Sequence, residues 1–196
     1  MIKLILSVIL FVLIGTHLTV GPIYSPSSIS GPSPSPGSLD NLKNQSGLSS
    51  GSSSGSTDFD TYINSNPTHL GDNKLSDNGA EFVGTEVTLD LSPQGTTIGR
   101  IAYWNVGNNV NNRPNEVTIS SDDNSSFTSP TALGTFAITQ GSLTPQVFEI
   151  DSTASSMYIR MVFTTTNRGA MSLHWANLPL TMESQFPNRL RECLAV

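Results

Sequence analysis

The chain has 196 residues, a net charge of −6 and 12% charged residues, about half the charged share of an ordinary globular protein. Nine residues are basic and none of them form a run, which excludes the electrostatic surface that nucleic-acid binding requires. The single cysteine, Cys193, excludes an intrachain disulfide and a cysteine-based zinc site. Ser, Thr and Asn supply roughly a third of the residues, so we expect a polar but mostly uncharged surface.

The first residues have the pattern of an export signal. Lys3 precedes an apolar run over residues 4–14 that only Ser7 interrupts. A membrane-spanning helix needs about 20 apolar residues, whereas a short basic start followed by a short apolar run is typical of a secretory signal peptide. We therefore predict a signal peptide helix at residues 1–21, a secreted or cell-envelope location, and no stable membrane span in the mature chain. An uncleaved anchor and a buried N-terminal strand are the alternatives.

Residues 22–38 are rich in Ser, Pro and Gly. Such a composition buries little apolar surface and favours an extended or disordered chain. We therefore predict a disordered linker here, and composition alone would extend it to Ser56.

From Val87 onward the apolar residues recur every second position, which predicts half-buried strands. In the second predicted strand, Ile98 to Trp104, Ile101 and Tyr103 share one face, and Ala102 and Trp104 share the other. The apolar positions of the other predicted strands are Val87, Leu89 and Leu91; Val117 and Ile119; Phe136 and Ile138; Phe148 and Ile150; and Met157, Ile159, Met161 and Phe163. Turn-forming residues separate these strands, and no convincing helical pattern follows residue 20. The pattern indicates an all-β protein, an antiparallel β-sandwich or jelly roll.

Four segments carry a resemblance to a known family. Residues 104–105 read Trp-Asn at a strand end, and residues 115–123 read Asn-Glu-Val-Thr-Ile-Ser-Ser-Asp-Asp. Residues 127–136 read Phe-Thr-Ser-Pro-Thr-Ala-Leu-Gly-Thr-Phe, and residues 158–160 read Tyr-Ile-Arg. This succession resembles the galactose-binding-like, discoidin-type jelly roll of bacterial exported proteins that carry the PEP-CTERM sorting signal.

The same resemblance extends upstream, to residues 44–51 and 57–62. It implies that the domain begins near Leu39, within the stretch that composition alone assigns to the linker. We therefore predict one galactose-binding-like domain over residues 39–180.

The C-terminal residues depart from the family pattern. The family usually ends on a strand of the Leu-Gly-Glu-Phe-Ala-Phe type, whereas residues 171–196 lose the alternation. Plausible codons read two bases downstream can encode Glu-Ser-Ser-Leu-Gly-Glu-Phe-Ala-Phe-Asp for residues 171–180 and Ile-Pro-Glu-Pro for residues 185–189.

One interpretation is that the sorting signal is out of frame and that residues 181–196 form an irregular, frameshifted tail. The other is a divergent, genuine C-terminus, and the nucleotide sequence of the gene distinguishes them. If the last strand is missing, we expect an exposed edge in the sandwich.

Two loops carry candidate ligand-binding residues. The first contains Asn109, Asn112 and Arg113, and the second contains Asn167 and Arg168. Amides offer paired donors and acceptors, and a guanidinium group offers a donor fork for hydroxyl or carboxylate groups. Sugar recognition also uses an aromatic platform, which Trp104 or Tyr103 could supply. The alternative is that the asparagines only form turns and the tryptophan lies in the core.

No cofactor is required by any motif, but a structural metal is one possibility. The resemblance implies one Ca²⁺ near the chain ends, and oxygen-rich loops suit such an ion. The candidate ligands are Asp58, Asp60, Asp72 and Asp77. The alternative is that these carboxylates cap helices and form turns. Asp122, Asp123 and Asn124 are interpreted as a hairpin turn.

No Ser-His-Asp arrangement or pair of carboxylates at strand ends predicts an enzyme. We therefore predict a secreted, non-catalytic β-sandwich module that binds extracellular polysaccharide or a surface glycan and serves adhesion. The alternative is a structural component of the matrix or surface layer without a discrete ligand.

Overall fold

Strands dominate the computed structural model, which describes residues 21–31, 39–43, 45, 48–68, 74–76, 85–93, 96–104, 114–139, 142–150, 155–166, 174–176 and 182–184. The strands are β1 (Ile23–Tyr24), β2 (Ser28–Ser30), β3 (Lys74–Ser76), β4 (Thr85–Asp90), β5 (Thr96–Tyr103), β6 (Pro114–Asp122), β7 (Thr131–Ala137), β8 (Gln146–Glu149), β9 (Ser155–Ser156), β10 (Tyr158–Thr166), β11 (His174–Ala176) and β12 (Met182–Ser184). A 3-10 turn covers Leu39–Leu42, and one short helix, α1, covers Phe59–Asn64.

The strands form two large sheets and one small one. The first sheet has the order β1-β12-β5-β8, and β9 also pairs with β5. The second has the order β2-β4-β10-β6-β7, and β11 pairs with β3 in the small sheet. All of these pairs are antiparallel, which confirms the predicted all-β antiparallel fold.

The main core lies between the two large sheets. Alternate residues of a strand point to one face, and three of the four predicted apolar positions of the longest set, Ile159, Met161 and Phe163, are fully buried. They pack with residues of the facing sheet, among them Ile101 and Phe148. The fourth, Met157, precedes β10 and is half-buried. The period-two pattern therefore identified the strand faces that build the sandwich.

Both faces of β5 are buried, which the sequence pattern did not predict. Ile101 and Tyr103 face the main core, whereas Ala102 and Trp104 join a second apolar cluster on the other side of the sheet. The remaining members of this second cluster come from the N-terminal part of the chain: Ile23, Leu48, Phe59 and Tyr62. The N-terminal part therefore covers the outer face of the first sheet.

Stacked aromatic rings join the two large sheets at one edge. Phe136 of β7 stacks on Phe148 of β8 with 5.0 Å between ring centroids, and Phe148 stacks on Tyr103 at 6.0 Å. Gly134 makes room for this arrangement, because its φ is +141° and a Cβ there would lie 2.8 Å from the Phe136 ring. Glycine in β7 therefore lets the Phe136 ring fold back over the strand.

The prediction of a disordered linker over residues 22–38 does not hold for residues 22–30. Strand β1 pairs with β12, strand β2 pairs with β4, and the Ile23 side chain is fully buried. The Ile23 amide also donates to the Thr57 carbonyl at 2.8 Å. The composition did not predict these strands because a short edge strand needs few apolar residues when an existing sheet supplies its hydrogen bonds. Residues 32–38 lie outside the described residues.

The prediction of an irregular tail over residues 181–196 does not hold for β12. This strand lies inside the first sheet, between β1 and β5. Its register with β5 places Met182 opposite Ile101 and Ser184 opposite Ile98. The expected exposed edge is therefore occupied at this part of β5. Residues 185–196 lie outside the described residues.

The predicted signal peptide lies outside the described residues except for Gly21, whose carbonyl accepts a 3.4 Å hydrogen bond from the Phe59 amide. Within the described ranges, helix α1 has six residues, and none of the helices there has the length and hydropathy to cross a membrane.

Candidate functional site

Strands of both large sheets end or begin at one end of the sandwich. Tyr103, at the end of β5, lies opposite Gln146, at the start of β8. In the second sheet Thr166, at the end of β10, lies opposite Pro114, at the start of β6. We call this the Tyr103 end of the sandwich.

The side chain of Gln146 connects the two sheets at the Tyr103 end. Its amide nitrogen donates to the Ala137 carbonyl at 2.6 Å, and its amide oxygen accepts from the Thr139 amide at 2.7 Å. Ala137 is the last residue of β7, so these bonds hold the start of β8 against the end of β7. The conformation of the Gln146 amide is fixed by both bonds.

A cavity of about 210 Å³ opens at the Tyr103 end. The described residues that line it are uncharged, and most carry a hydroxyl or amide group: Tyr103, Thr139, Ser142, Thr144, Pro145 and Gln146. The hydroxyl oxygens of Ser142 and Thr144 lie 2.7 Å apart and share a hydrogen bond. The Thr144 amide also donates to the Ser142 hydroxyl at 3.2 Å.

The predicted ligand residues Asn109, Asn112, Arg113, Asn167 and Arg168 lie outside the described residues. The strand ends that flank them are described. The first loop connects Trp104 to Pro114, and the second follows Thr166. Because Thr166 and Pro114 are register partners, the strand ends to which the two segments are attached are adjacent at the Tyr103 end.

Trp104 is not the aromatic platform proposed from the sequence. Its side chain is fully buried, its indole nitrogen donates to the Pro67 carbonyl at 2.7 Å, and its ring lies 6.2 Å from that of Tyr62. Tyr62 is itself buried, which raises the pKa of its phenol to about 12. Trp104 is therefore a core residue, and Tyr103 is the aromatic residue at the cavity.

Two of the four predicted metal ligands are described, and both have protein partners. Asp58 is the N-cap of α1 and accepts hydrogen bonds from the amide and hydroxyl of Thr61 at 2.8 and 2.7 Å. Asp60 pairs with Arg100 at 2.6 Å, and the Arg100 guanidinium also lies over the Phe59 ring. The capping alternative is thus realised at Asp58.

Asp72 and Asp77 lie outside the described residues, so the calcium site as a whole stays a prediction. Among the residues that the structure describes, no three His, Cys, Asp or Glu side chains form a group suited to a metal ion.

The Asp122 segment forms the predicted turn between β6 and β7. One carboxylate oxygen of Asp122 accepts from the Asn124 amide and the other from the Ser129 amide, each at 2.9 Å. The Asp123 carboxylate accepts from the Met157 amide at 3.2 Å, which attaches the turn to the start of β10. Phe127 is buried, and the Arg160 guanidinium lies 4.4 Å from the centre of its ring.

Three carboxylates have lowered pKa values, so we expect the fold to be less stable in acid. Hydrogen bonds lower the pKa of Asp58 (from the Thr61 amide), Asp90 (from Ser92) and Asp122 (from the Ser129 amide) below the ordinary value of 3.8. The stability that these groups contribute is complete at pH values well above 3.8 and is lost as the pH falls through the lower folded-state pKa values. We expect the free energy of unfolding to decrease as the pH falls below about 5.

Urea unfolding at a series of pH values measures this decrease. In Asp122→Asn we expect a shallower decrease than in the wild type, because one titrating group is removed. An identical pH dependence in the two proteins would contradict the assignment of Asp122.

The cavity was missed by sequence reasoning. Residues 140–145 are among the turn-forming residues between the predicted strands, and nothing in their order distinguishes a turn that lines a cavity from one that does not. Gln146 carries no signal of its own, because its role depends on the distant backbone of Ala137 and Thr139.

No protein-family model matches the chain, and no curated protein matches it. Solved structures do match. The CBM32 of AlyQ, in complex with 4,5-unsaturated mannuronic acid, has a TM-score of 0.52 at 12% identity over 82% of this chain and 96% of that chain. The CBM32-1 and CBM32-2 domains of Clostridium perfringens ZmpB have a TM-score of 0.52 at 12% identity, over 82% of this chain and 35% of that chain.

A truncated AlyQ with CBM32 and alginate lyase domains has a TM-score of 0.54 at 11% identity, over 86% of this chain and 35% of that chain. These neighbours are CBM32 domains, which are galactose-binding-like, discoidin-type sandwiches. The likeness confirms the predicted fold. The relation to proteins with a PEP-CTERM signal stays an interpretation of the sequence.

Proposed function

We propose that this protein is a secreted, non-catalytic module that binds extracellular polysaccharide or a surface glycan and serves adhesion. The fold supports this proposal, because its solved neighbours are CBM32 domains and one of them is in complex with a mannuronic acid derivative. The apolar run at residues 4–14 supports export.

One observation carries the proposal for this chain's own residues. The strand register joins Thr166 to Pro114 and Tyr103 to Gln146, so the strand ends that flank both asparagine- and arginine-containing segments lie at the same end of the sandwich as the cavity. Hydroxyl, amide and guanidinium groups next to an aromatic side chain are the groups that bind sugar hydroxyls. We propose Asn109, Asn112, Arg113, Asn167 and Arg168 as ligand-binding residues on this basis.

Glycan-array binding of the purified protein, followed by titration with the best glycan, tests the proposal. We expect saturable binding that Arg113→Ala weakens about tenfold or more, since a hydrogen bond from a charged group contributes about 1.5–3 kcal/mol. Lys43→Ala is the matched control. The Lys43 ammonium group donates to the Ser27 carbonyl, and the Ser27 amide donates to Asp90 at the opposite end of the sandwich.

We expect Lys43→Ala to bind like the wild type. The absence of binding to every glycan would contradict the proposal and favour a structural matrix component without a discrete ligand. Turnover of a bound polysaccharide would contradict its non-catalytic part.

A further inference from the structure

We infer that Asn124 is an acceptor site for N-linked glycosylation, an inference that rests on the export included in the proposed function. Asn124, Ser125 and Ser126 form the sequence Asn-x-Ser, with x other than proline, that N-glycosylating enzymes recognise on exported proteins. The chain contains one other such sequence, at Asn44. The group attached is an oligosaccharide, and its donor is a lipid-linked oligosaccharide diphosphate.

Asn124 lies in the exposed part of the turn between β6 and β7. Residues 123–126 are all exposed. Contacts on either side hold the turn in place, because the Asp122 carboxylate accepts from the Ser129 amide at 2.9 Å and the Phe127 side chain is buried. An enzyme can therefore reach Asn124 in the folded protein, and an attached oligosaccharide would displace no core side chain.

The side chain of Asn124 forms an Asx turn. Its amide oxygen accepts from the Ser126 amide at 2.9 Å, the bond by which an asparagine engages the backbone two residues on. This bond places the side-chain amide beside Ser126 and withdraws electron density from it, which makes its N–H protons more acidic. The amide nitrogen lies 3.5 Å from the Thr128 hydroxyl oxygen, at the limit of a hydrogen bond, so it is held only weakly.

The modification is a glycosyl transfer without a redox step. A C–N bond forms between the Asn124 amide nitrogen and the anomeric carbon of the donor sugar. The bond from that carbon to the diphosphate oxygen breaks, and the lipid diphosphate leaves with the bonding electron pair. The amide nitrogen loses one proton to a base of the transferring enzyme. This chain supplies only the acceptor nitrogen and the Ser126 hydroxyl that the enzyme recognises.

The structure favours Asn124 over Asn44, which lies outside the described residues. Gln45, the middle residue of the Asn44 sequence, is half-buried and has a left-handed φ of +58°. Its amide nitrogen donates to the Ser52 carbonyl and hydroxyl at 3.1 and 2.7 Å. Ser125, the middle residue of the Asn124 sequence, is exposed. Protein contacts therefore hold the middle of the first sequence, whereas the middle of the second is open to an enzyme.

The modified turn lies far from the Tyr103 end of the sandwich. Strand β6 begins there at Pro114 and ends at Asp122, two residues before Asn124. The nine residues of this strand span about 27 Å at the usual rise of an extended chain. We therefore expect an oligosaccharide on Asn124 to leave the cavity open and polysaccharide binding unchanged.

Mass spectrometry of the full chain, expressed in and secreted by its natural host, tests the inference. We expect the wild type to exceed the mass of its polypeptide by one oligosaccharide, located on the peptide that contains Asn124. In Asn124→Asp we expect complete loss of the added mass, because aspartate keeps the oxygen that accepts from the Ser126 amide but lacks the amide nitrogen. Ser126→Ala is also expected to lose it, since the recognised hydroxyl is removed.

Two further substitutions are matched controls. Ser125→Ala removes an exposed hydroxyl directly beside the recognised one, and Ser126→Thr keeps a hydroxyl at the recognised position. We expect both variants to carry the same added mass as the wild type. Circular dichroism melting checks that all four variants fold.

The outcomes separate this inference from the proposed function. A secreted wild-type chain without added mass, or added mass that persists in Asn124→Asp, would overturn the inference and leave the proposed function standing. A glycosylated chain that binds no polysaccharide would support the inference and contradict the proposed function. Retention of the chain inside the cell would overturn the export on which both depend.

Discussion

Replacing Trp104 by alanine is expected to lower the free energy of unfolding by about 3–5 kcal/mol. The indole is fully buried between β5 and the N-terminal part of the chain, where it packs with Phe59 and Tyr62. Its removal leaves a cavity in the second apolar cluster. It also leaves the buried Pro67 carbonyl without the indole hydrogen bond.

Urea unfolding followed by circular dichroism measures this effect. Trp104→Phe separates the two contributions, since it retains an aromatic ring but loses the hydrogen bond to Pro67, at an expected cost of about 1–3 kcal/mol. Leu143→Ala is the control for an exposed apolar residue, and we expect its effect to stay within about 0.5 kcal/mol.

The alternative role of Trp104, as an exposed sugar platform, makes the opposite prediction. In that case Trp104→Ala would abolish glycan binding and change the free energy of unfolding little. That result would contradict the core position of this residue.

Replacing Ile23 by alanine is expected to lower the free energy of unfolding by about 2–5 kcal/mol. Ile23 is fully buried in the second apolar cluster, and its backbone bonds to Thr57 and Gly55 at 2.8 and 2.6 Å. The deletion of its buried methyl groups would leave a gap that the surrounding strands close only in part.

Ser30→Ala is the control within the same segment. Ser30 is an exposed residue of β2, and we expect its replacement to change the free energy of unfolding by less than about 0.5 kcal/mol. Chemical denaturation of both variants compares the two positions. If both replacements changed the free energy of unfolding by an equal, negligible amount, the buried position of Ile23 would be contradicted and the disordered linker predicted from composition would be supported.

The strands of the sandwich could be predicted because their signal is local. Residues Ile159, Met161 and Phe163 alternate with polar or half-buried neighbours. This period of two is enough to indicate which face of the strand is buried. The same argument identified β4, β5 and β6. The N-cap role of Asp58 was likewise open to sequence reasoning, as the stated alternative to a metal ligand, since a cap needs only the following turn.

The N-terminal and C-terminal strands could not be predicted in this way. Strands β1 and β12 have two and three residues, too few for any periodicity. Their conformation depends on hydrogen bonds to each other and to β5, which are distant in sequence. A composition average over residues 22–38 therefore indicated disorder where Ile23 contributes to the core.

By itself, the sequence determined the fold class, the strands of the sandwich and their inward faces, because side-chain alternation is a property of neighbouring residues. Only the tertiary structure decided that both faces of β5 are buried, that Trp104 belongs to the core and that Gln146, Ser142 and Tyr103 line a cavity. Each of these depends on contacts between segments that are far apart in the chain. Such contacts leave no pattern in the local sequence of either segment.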